Sequence, residues 1–304
     1  TVTQLQSSDP VTEVIRQLNV VESGFSDFLQ KHGIYWNNFF EKSSVCLPDK
    51  FLEKLWYHSL YILNCCSGKN GRRFEQACGL NGLWDVRQPT IWGSQWYWDV
   101  NIQAAFWPVY TANHLELAEV FNEGFLAYAE DAARRAREFY HAPGYAIDYP
   151  FEFYNCIWPW CAQFLWWYYE YTQDKKFLRE KAYPMFREQV RFISHVAKYD
   201  EERCVLVIFP DVSPEQGPVA RNSTVTLSVV KYLLYFTMKA NRILNESEEE
   251  FEEFEKLYHR LPDYPTAHVF PYGEMWRDSE VSPPGIPLRH PSLLMPVFPV
   301  GEVN

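Results

Sequence analysis

The chain has 304 residues, 47% apolar and 22% charged, and a formal net charge of −11 at pH 7. Those proportions are ordinary for a globular protein with room for a sizeable core. No basic stripe is present, which argues against a nucleic-acid partner, and no apolar run approaches the length that spans a bilayer, so no membrane partner is expected.

Aromatic residues reach 18%, with 12 Trp. Most are expected in a helical core, and the remainder lining a cleft, because flat apolar faces suit ligands such as sugars. Seven of the carboxylates fall in ESEEEFEEFEK (246–256), which reads as the solvated face of a helix. The seven cysteines, at 46, 65, 66, 78, 156, 161 and 204, show no metal-ligand spacing. Buried free thiols are expected rather than a disulfide framework. Two triplets, Asn222-Ser223-Thr224 and Asn245-Glu246-Ser247, match a glycosylation acceptor, a match that is mostly chance at this length.

The opening TVTQLQSSDP carries no leader pattern and reads as a continuation from something upstream. Residues 11–32 place apolar side chains at helical spacing. A second helix opens at Pro48 and runs through Leu52, Leu55, Trp56, Leu60 and Leu63. A third is expected over 113–139, and an aromatic one from Pro159 to Thr172. The next carries Phe186, Val190, Ile193 and Ala197 as one stripe. The last has Asn222 as its N-cap, with Val225, Val229, Leu233, Phe236 and Ala240 facing inward. Strand signal is thin; RCVLVIF (203–209) suits a hairpin within a loop.

Long connections rich in Gly, Pro and aromatics occupy 67–98, 140–158, 205–222 and 262–304. Connections of that length in a compact domain are usually functional. Helix pairs with elaborated loops at one end predict an all-α protein, an α/α toroid. The proline-rich last stretch lacks the helices that would close six hairpins, so the ring is expected to be incomplete at its C-terminal end. On this reading residues 1–34 are a helical lead-in and 35–304 the toroid domain.

Three loop motifs carry candidate chemistry. In WGSQWYWDVNIQAAFWP (92–108) an extended backbone over 95–101 would put Trp96, Trp98 and Val100 on one side and Tyr97, Asp99 and Asn101 on the other. The acid and amide would then face a cleft just before a helix N-terminus, although either could merely cap that helix. In FPDVSPEQGPV (209–219), Gly and Pro hold Glu215 in turns, flanked by Ser213 and Gln216. Glu215 suits a general acid or an ordinary surface loop equally well. In PLRHPSLL (287–294), Arg289 and His290 offer donors to a hydroxyl-rich ligand.

Taken together and in order, these segments resemble glycoside hydrolase family 95, the inverting α-L-fucosidases and α-L-galactosidases. GLNGLW (79–84), the aromatic segment at 92–116, WPWCAQFLWWYYEYTQDKKFL, SPEQGPV, GEMWRD (273–278) and LRHPSLL each resemble a motif of that family, over about residues 35–300. The resemblance implies a six-hairpin toroid and hydrolysis of an oligosaccharide or glycoconjugate with inversion. No cofactor or metal is implied. It further implies an upstream β-sandwich domain and an extracellular or periplasmic setting.

By the same resemblance Glu215 is the general acid. Asn101 matches the second of two water-holding asparagines, and Asp99 stands where the first would be. Arg289 and His290 match sugar-binding residues, Trp158 lies near a stacking ring, and Tyr97 and Glu152 are further candidate sugar contacts. This chain departs from the family at Asp99, at AIDYPFEFY (146–154) with its Asp148 and Glu152, and in having no downstream aspartate to polarise the water. Inversion needs carboxyl groups roughly 6.5–9.5 Å apart. Alternatives are a carbohydrate-binding toroid that has lost catalysis, or another toroid chemistry such as a glycoside phosphorylase.

Overall fold

The computed structural model describes residues 8–67, 91–95, 97–146, 152–215, 218–283, 285 and 288–302. GLNGLW, Trp96, Asp148 and Gln216 lie outside them. The chain divides into two compact units, residues 1–77 with 107–120, and residues 78–106 with 121–304.

In the first unit the helix expected over 11–32 is two helices, α1 (Pro10–Ser23) and α2 (Phe25–Phe40), parted at Gly24. Asp9 starts α1 by accepting the Thr12 N–H at 3.1 Å, with Pro10 in the first turn. Helix α3 (Lys50–Ser67) is opened by Asp49, which accepts from the Phe51 and Leu52 amides, rather than by Pro48. Of its expected apolar stripe Leu60 and Leu63 are buried, whereas Leu52 and Leu55 are exposed.

The second unit holds α4 (Asn101–Phe106), and its central helices are α8 (Ile157–Thr172), α10 (Tyr183–Val196) and α11 (Thr224–Leu244). Shorter helices are α5 (Pro108–Thr111), which belongs to the first unit, α6 (Leu115–Ala127), which crosses the boundary at residue 120, and α7 (Ala129–Phe139) and α9 (Lys175–Phe177) of the second; the helix expected over 113–139 breaks at Tyr128 into α6 and α7. The predicted inward positions of α11, from Val225 to Ala240, are all buried. Trp166 of α8 stacks on Phe236 of α11 at 5.9 Å, and Phe186 of α10 meets the same ring edge-on at 4.6 Å. Such pairing adds to the burial of large apolar area.

Ser223, not Asn222, caps α11 by accepting the Thr226 N–H. Asn222 is turned inward at φ 52°, where its Oδ1 accepts from Ile208 N–H at 2.8 Å and its amide donates to Glu280. Its burial removes that triplet as an accessible acceptor. Acidic α12 (Glu248–Arg260) has only Phe254 buried, as a solvated face requires.

Two antiparallel hairpins interrupt the helices: β1 (Ala197–Asp200) with β2 (Val205–Ile208), and β3 (Thr266–Val269) with β4 (Gly273–Trp276). The first is the hairpin expected near 203–209, and the second had no clear sequence signal. The six described cysteines are free thiols.

Candidate active site

Three segments bring polar side chains to one place in the second unit. The first is the turn at 98–100 that leads into α4. Trp98 is buried, with its ring 5.6–5.9 Å from those of Phe121, Phe125 and Tyr128, and its carbonyl accepts from the Gln103 amide. Val100 has φ 68°, a strained position for a β-branched residue. The backbone therefore turns where an extended run was expected. Trp98 and Asp99 are both buried and the two-sided alternation does not form. Helix α4 starts at Asn101 itself, one residue before the expected helical run from Ile102.

The second segment is the loop after β2. Its base is closed by paired backbone bonds between Asp211 and Ala220, at 2.7 and 3.1 Å. The Asp211 side chain is fully buried at the N-terminus of α11. It accepts from the Ser223 amide (2.9 Å), the Ser223 hydroxyl (2.6 Å), the Thr226 hydroxyl (2.9 Å) and the Asn155 amide (3.3 Å). Burial outweighs those bonds and pushes its carboxyl up to about 6. Glu215 then sits in the left-handed region at φ 53°, its N–H donating to Tyr154 Oη at 2.6 Å. Burial, helped by the nearby Asp99, Cys156 and Glu215 charges and opposed by the bond from the Glu215 N–H, pushes the Tyr154 phenol up to about 12.

The third segment carries Arg289 and His290. Arg289 Nη1 lies 2.5 Å and His290 Nε2 3.5 Å from Glu215 Oε2. The Arg289 contact is an ion pair without hydrogen-bond alignment, which leaves Glu215 Oε2 and His290 Nε2 buried with no hydrogen-bond partner among the described residues.

These segments meet at Asp99. One ligating atom each from Asp99, Glu215 and His290 lie within 4.8 Å of one another. Asp99 is 6% exposed, and no described residue hydrogen-bonds its carboxyl. That carboxyl is pushed up to about 6, chiefly by burial and also by the Glu215 charge, against the lowering pull of His290 and Arg289. The triad has enough ligand atoms for a cation, but the Arg289 guanidinium already supplies positive charge there.

Asp99, Glu215, Arg289 and His290 thus come together as the sequence suggested. Asp99 stands beside Glu215, however, closer than the roughly 6.5–9.5 Å that an inverting acid–base pair needs. Asn101 is half-buried at the start of α4, and no described residue hydrogen-bonds its amide. Tyr97 is half-buried and donates to the Trp92 carbonyl at 3.2 Å. Glu152 is exposed in the turn before Tyr154.

The stacking role expected of Trp158 meets a different environment. The ring is 3% exposed and packs on Phe125 at 4.3 Å, so neither face is open to a sugar. Sequence reasoning also passed over Asp211, Tyr154 and Asp278. All three stood inside quoted motifs, but nothing local marks a buried aspartate as the partner of distant hydroxyls.

Helices whose connecting segments bring Asp99, Glu215 and His290 together fit an α/α toroid with a polar site on its loops. Residues 36–304 match the glycosyl hydrolase family 95 catalytic domain, and the chain belongs to that family. It is 23% identical over 276 residues to Alpha-L-fucosidase 2 of Arabidopsis thaliana, a match that covers 82% of this chain and 32% of that protein. The chain therefore spans about a third of the curated relative's length. Among solved structures, one described as a kojibiose phosphorylase from the human microbiome superposes with a TM-score of 0.63 at 14% identity. That match covers 82% of this chain and 37% of the other, and supports the toroid fold alone.

Proposed function

We propose that this domain hydrolyses a terminal α-L-fucosyl or α-L-galactosyl linkage in an oligosaccharide or glycoconjugate, with inversion. Glu215 is the general acid, Asp99 and Asn101 hold the water or a sugar hydroxyl, and Arg289 and His290 bind the sugar. Family membership and the relative's name support the substrate class. The observation that carries the reading is the convergence of Asp99, Glu215 and His290 within 4.8 Å, from segments more than a hundred residues apart at the extremes. That short limit favours Asp99 as a holder of water rather than as the base across the bond.

The test uses the full-length protein on nitrophenyl α-L-fucoside, α-L-galactoside and related glycosides, with the product anomer read by NMR. Glu215→Gln should lose about 100-fold on natural glycosides and far less where the leaving group is already good. Equal loss on both removes Glu215 as the acid. Retention, or strict phosphate dependence, removes inverting hydrolysis.

A second reading, a sugar-binding site without turnover, is favoured by the 2.5 Å Arg289 contact on the acid and by Asp99 in place of an amide. Fucose binding by calorimetry with no reducing sugar released supports it.

A further inference from the structure

The loops bearing Glu215 and the Arg289–His290 pair are joined through one buried side chain. Asp278, which follows β4, is 6% exposed. Its Oδ1 accepts from the Ser213 hydroxyl at 2.7 Å and from the Ser292 hydroxyl at 3.1 Å. Ser213 is two residues before Glu215, and Ser292 two residues after His290. The backbone at this point is fixed as well. The Thr224 N–H donates to the Asp278 carbonyl at 2.8 Å, and the Thr224 hydroxyl donates to the Arg277 carbonyl at 2.6 Å. Thr224 is the first residue of α11, so the aspartate is anchored to a core helix.

We infer that Asp278 is a positioning residue that sets the separation between the Glu215 carboxyl and the Arg289–His290 pair. Among the described residues the two loops share no regular secondary structure, so their relative placement depends on such cross-links. An acceptor oxygen that takes both hydroxyls makes the placement of one loop conditional on the other. A donor misplaced by about 1 Å can lose two orders of magnitude in rate, so the clamp acts on catalysis without touching substrate. The inference rests on Glu215 being the proton donor and on Arg289 and His290 binding sugar.

The two arms of the clamp separate experimentally in the full-length protein. Ser213→Ala releases the Glu215 loop and should cost about 10–100-fold on natural glycosides with little loss on activated ones, a milder copy of Glu215→Gln. Ser292→Ala releases the sugar-binding loop and should raise KM several-fold at nearly constant kcat. Asp278→Asn should combine both effects. Equal loss on both substrate types in Ser213→Ala, or an unchanged KM in Ser292→Ala, overturns the assignment while Glu215→Gln still behaves as an acid knockout.

Hydrogen exchange reads the clamp without turnover. In Asp278→Ala, amides of the 211–215 and 288–294 segments should exchange at least about tenfold faster, while those of α8 and α11 stay protected. No change in either segment, or a rise shared with α8 and α11, overturns the clamp even if the protein proves not to hydrolyse glycosides. Failure of Glu215→Gln alone would instead strike the proposed reaction and leave the exchange result standing.

Discussion

A carboxyl oxygen of Asp99 lies within 4.8 Å of one of Glu215, and the Arg289 guanidinium is 2.5 Å from the same glutamate. Two like charges so close repel by a few kcal/mol at the dielectric of a protein surface. Burial, the Glu215 charge, Arg289 and His290 together place the Asp99 titration at about 6. NMR of the carboxyl carbon should find that midpoint. Glu215→Gln should move it down without restoring the free value of 3.8, because burial persists. Arg289→Ala should move it up. A midpoint indifferent to both changes would mean that the groups do not face one another in solution.

The same shift predicts a pH-dependent stability. A carboxyl whose folded-state pKa is raised binds more protons folded than unfolded between about pH 4 and 6, so stability falls as pH rises through that window. Above it the buried charge costs about 2–3 kcal/mol. Asp99→Asn removes that charge at nearly constant shape. It should raise the unfolding midpoint at pH 8 and change it little at pH 4, as read by urea titration. Equal effects at both pH values would show that Asp99 is not the source.

Glu215 occupies the left-handed region at φ 53°, with its N–H held by the Tyr154 hydroxyl. For a side chain with a Cβ that conformation costs about 1–2 kcal/mol, and glycine adopts it freely. Glu215→Gly should therefore abolish turnover of natural glycosides while leaving Tm unchanged or higher. Loss of stability in that variant would show that the glutamate is held for structure rather than chemistry.

Periodicity made the central helices legible. The positions from Val225 to Ala240 repeat every three or four residues, and all are buried because the apolar face of α11 has no other place to go. The turn that presents Asp99 was not legible in the same way. Alternating Trp, Tyr and Val favour an extended strand, whereas the anchoring of Trp98 among Phe121, Phe125 and Tyr128 forces Val100 to φ 68°. Tertiary packing overrode local preference there. The site residues were named from motif order, but their partners were not. The bonds from Asp278 to Ser213 and Ser292 span 65 and 14 residues, a relation that only folding creates.

Trp158 separates a core ring from a sugar platform. It is 3% exposed, packs on Phe125 at 4.3 Å and lies edge-on to Tyr145 at 6.4 Å. Trp158→Ala should cost about 3–5 kcal/mol of stability, the penalty of an aromatic-sized cavity. Trp158→Phe should cost less than its lost volume suggests, because the indole N–H is buried without a partner and phenylalanine removes it. The phenylalanine variant should be measurably less stable in urea, with KM for the sugar within about twofold of the parent. A platform would give the reverse, with parental stability and a KM raised by the loss of stacking area. The two variants, measured for both quantities, thus decide whether the ring serves the core or the ligand.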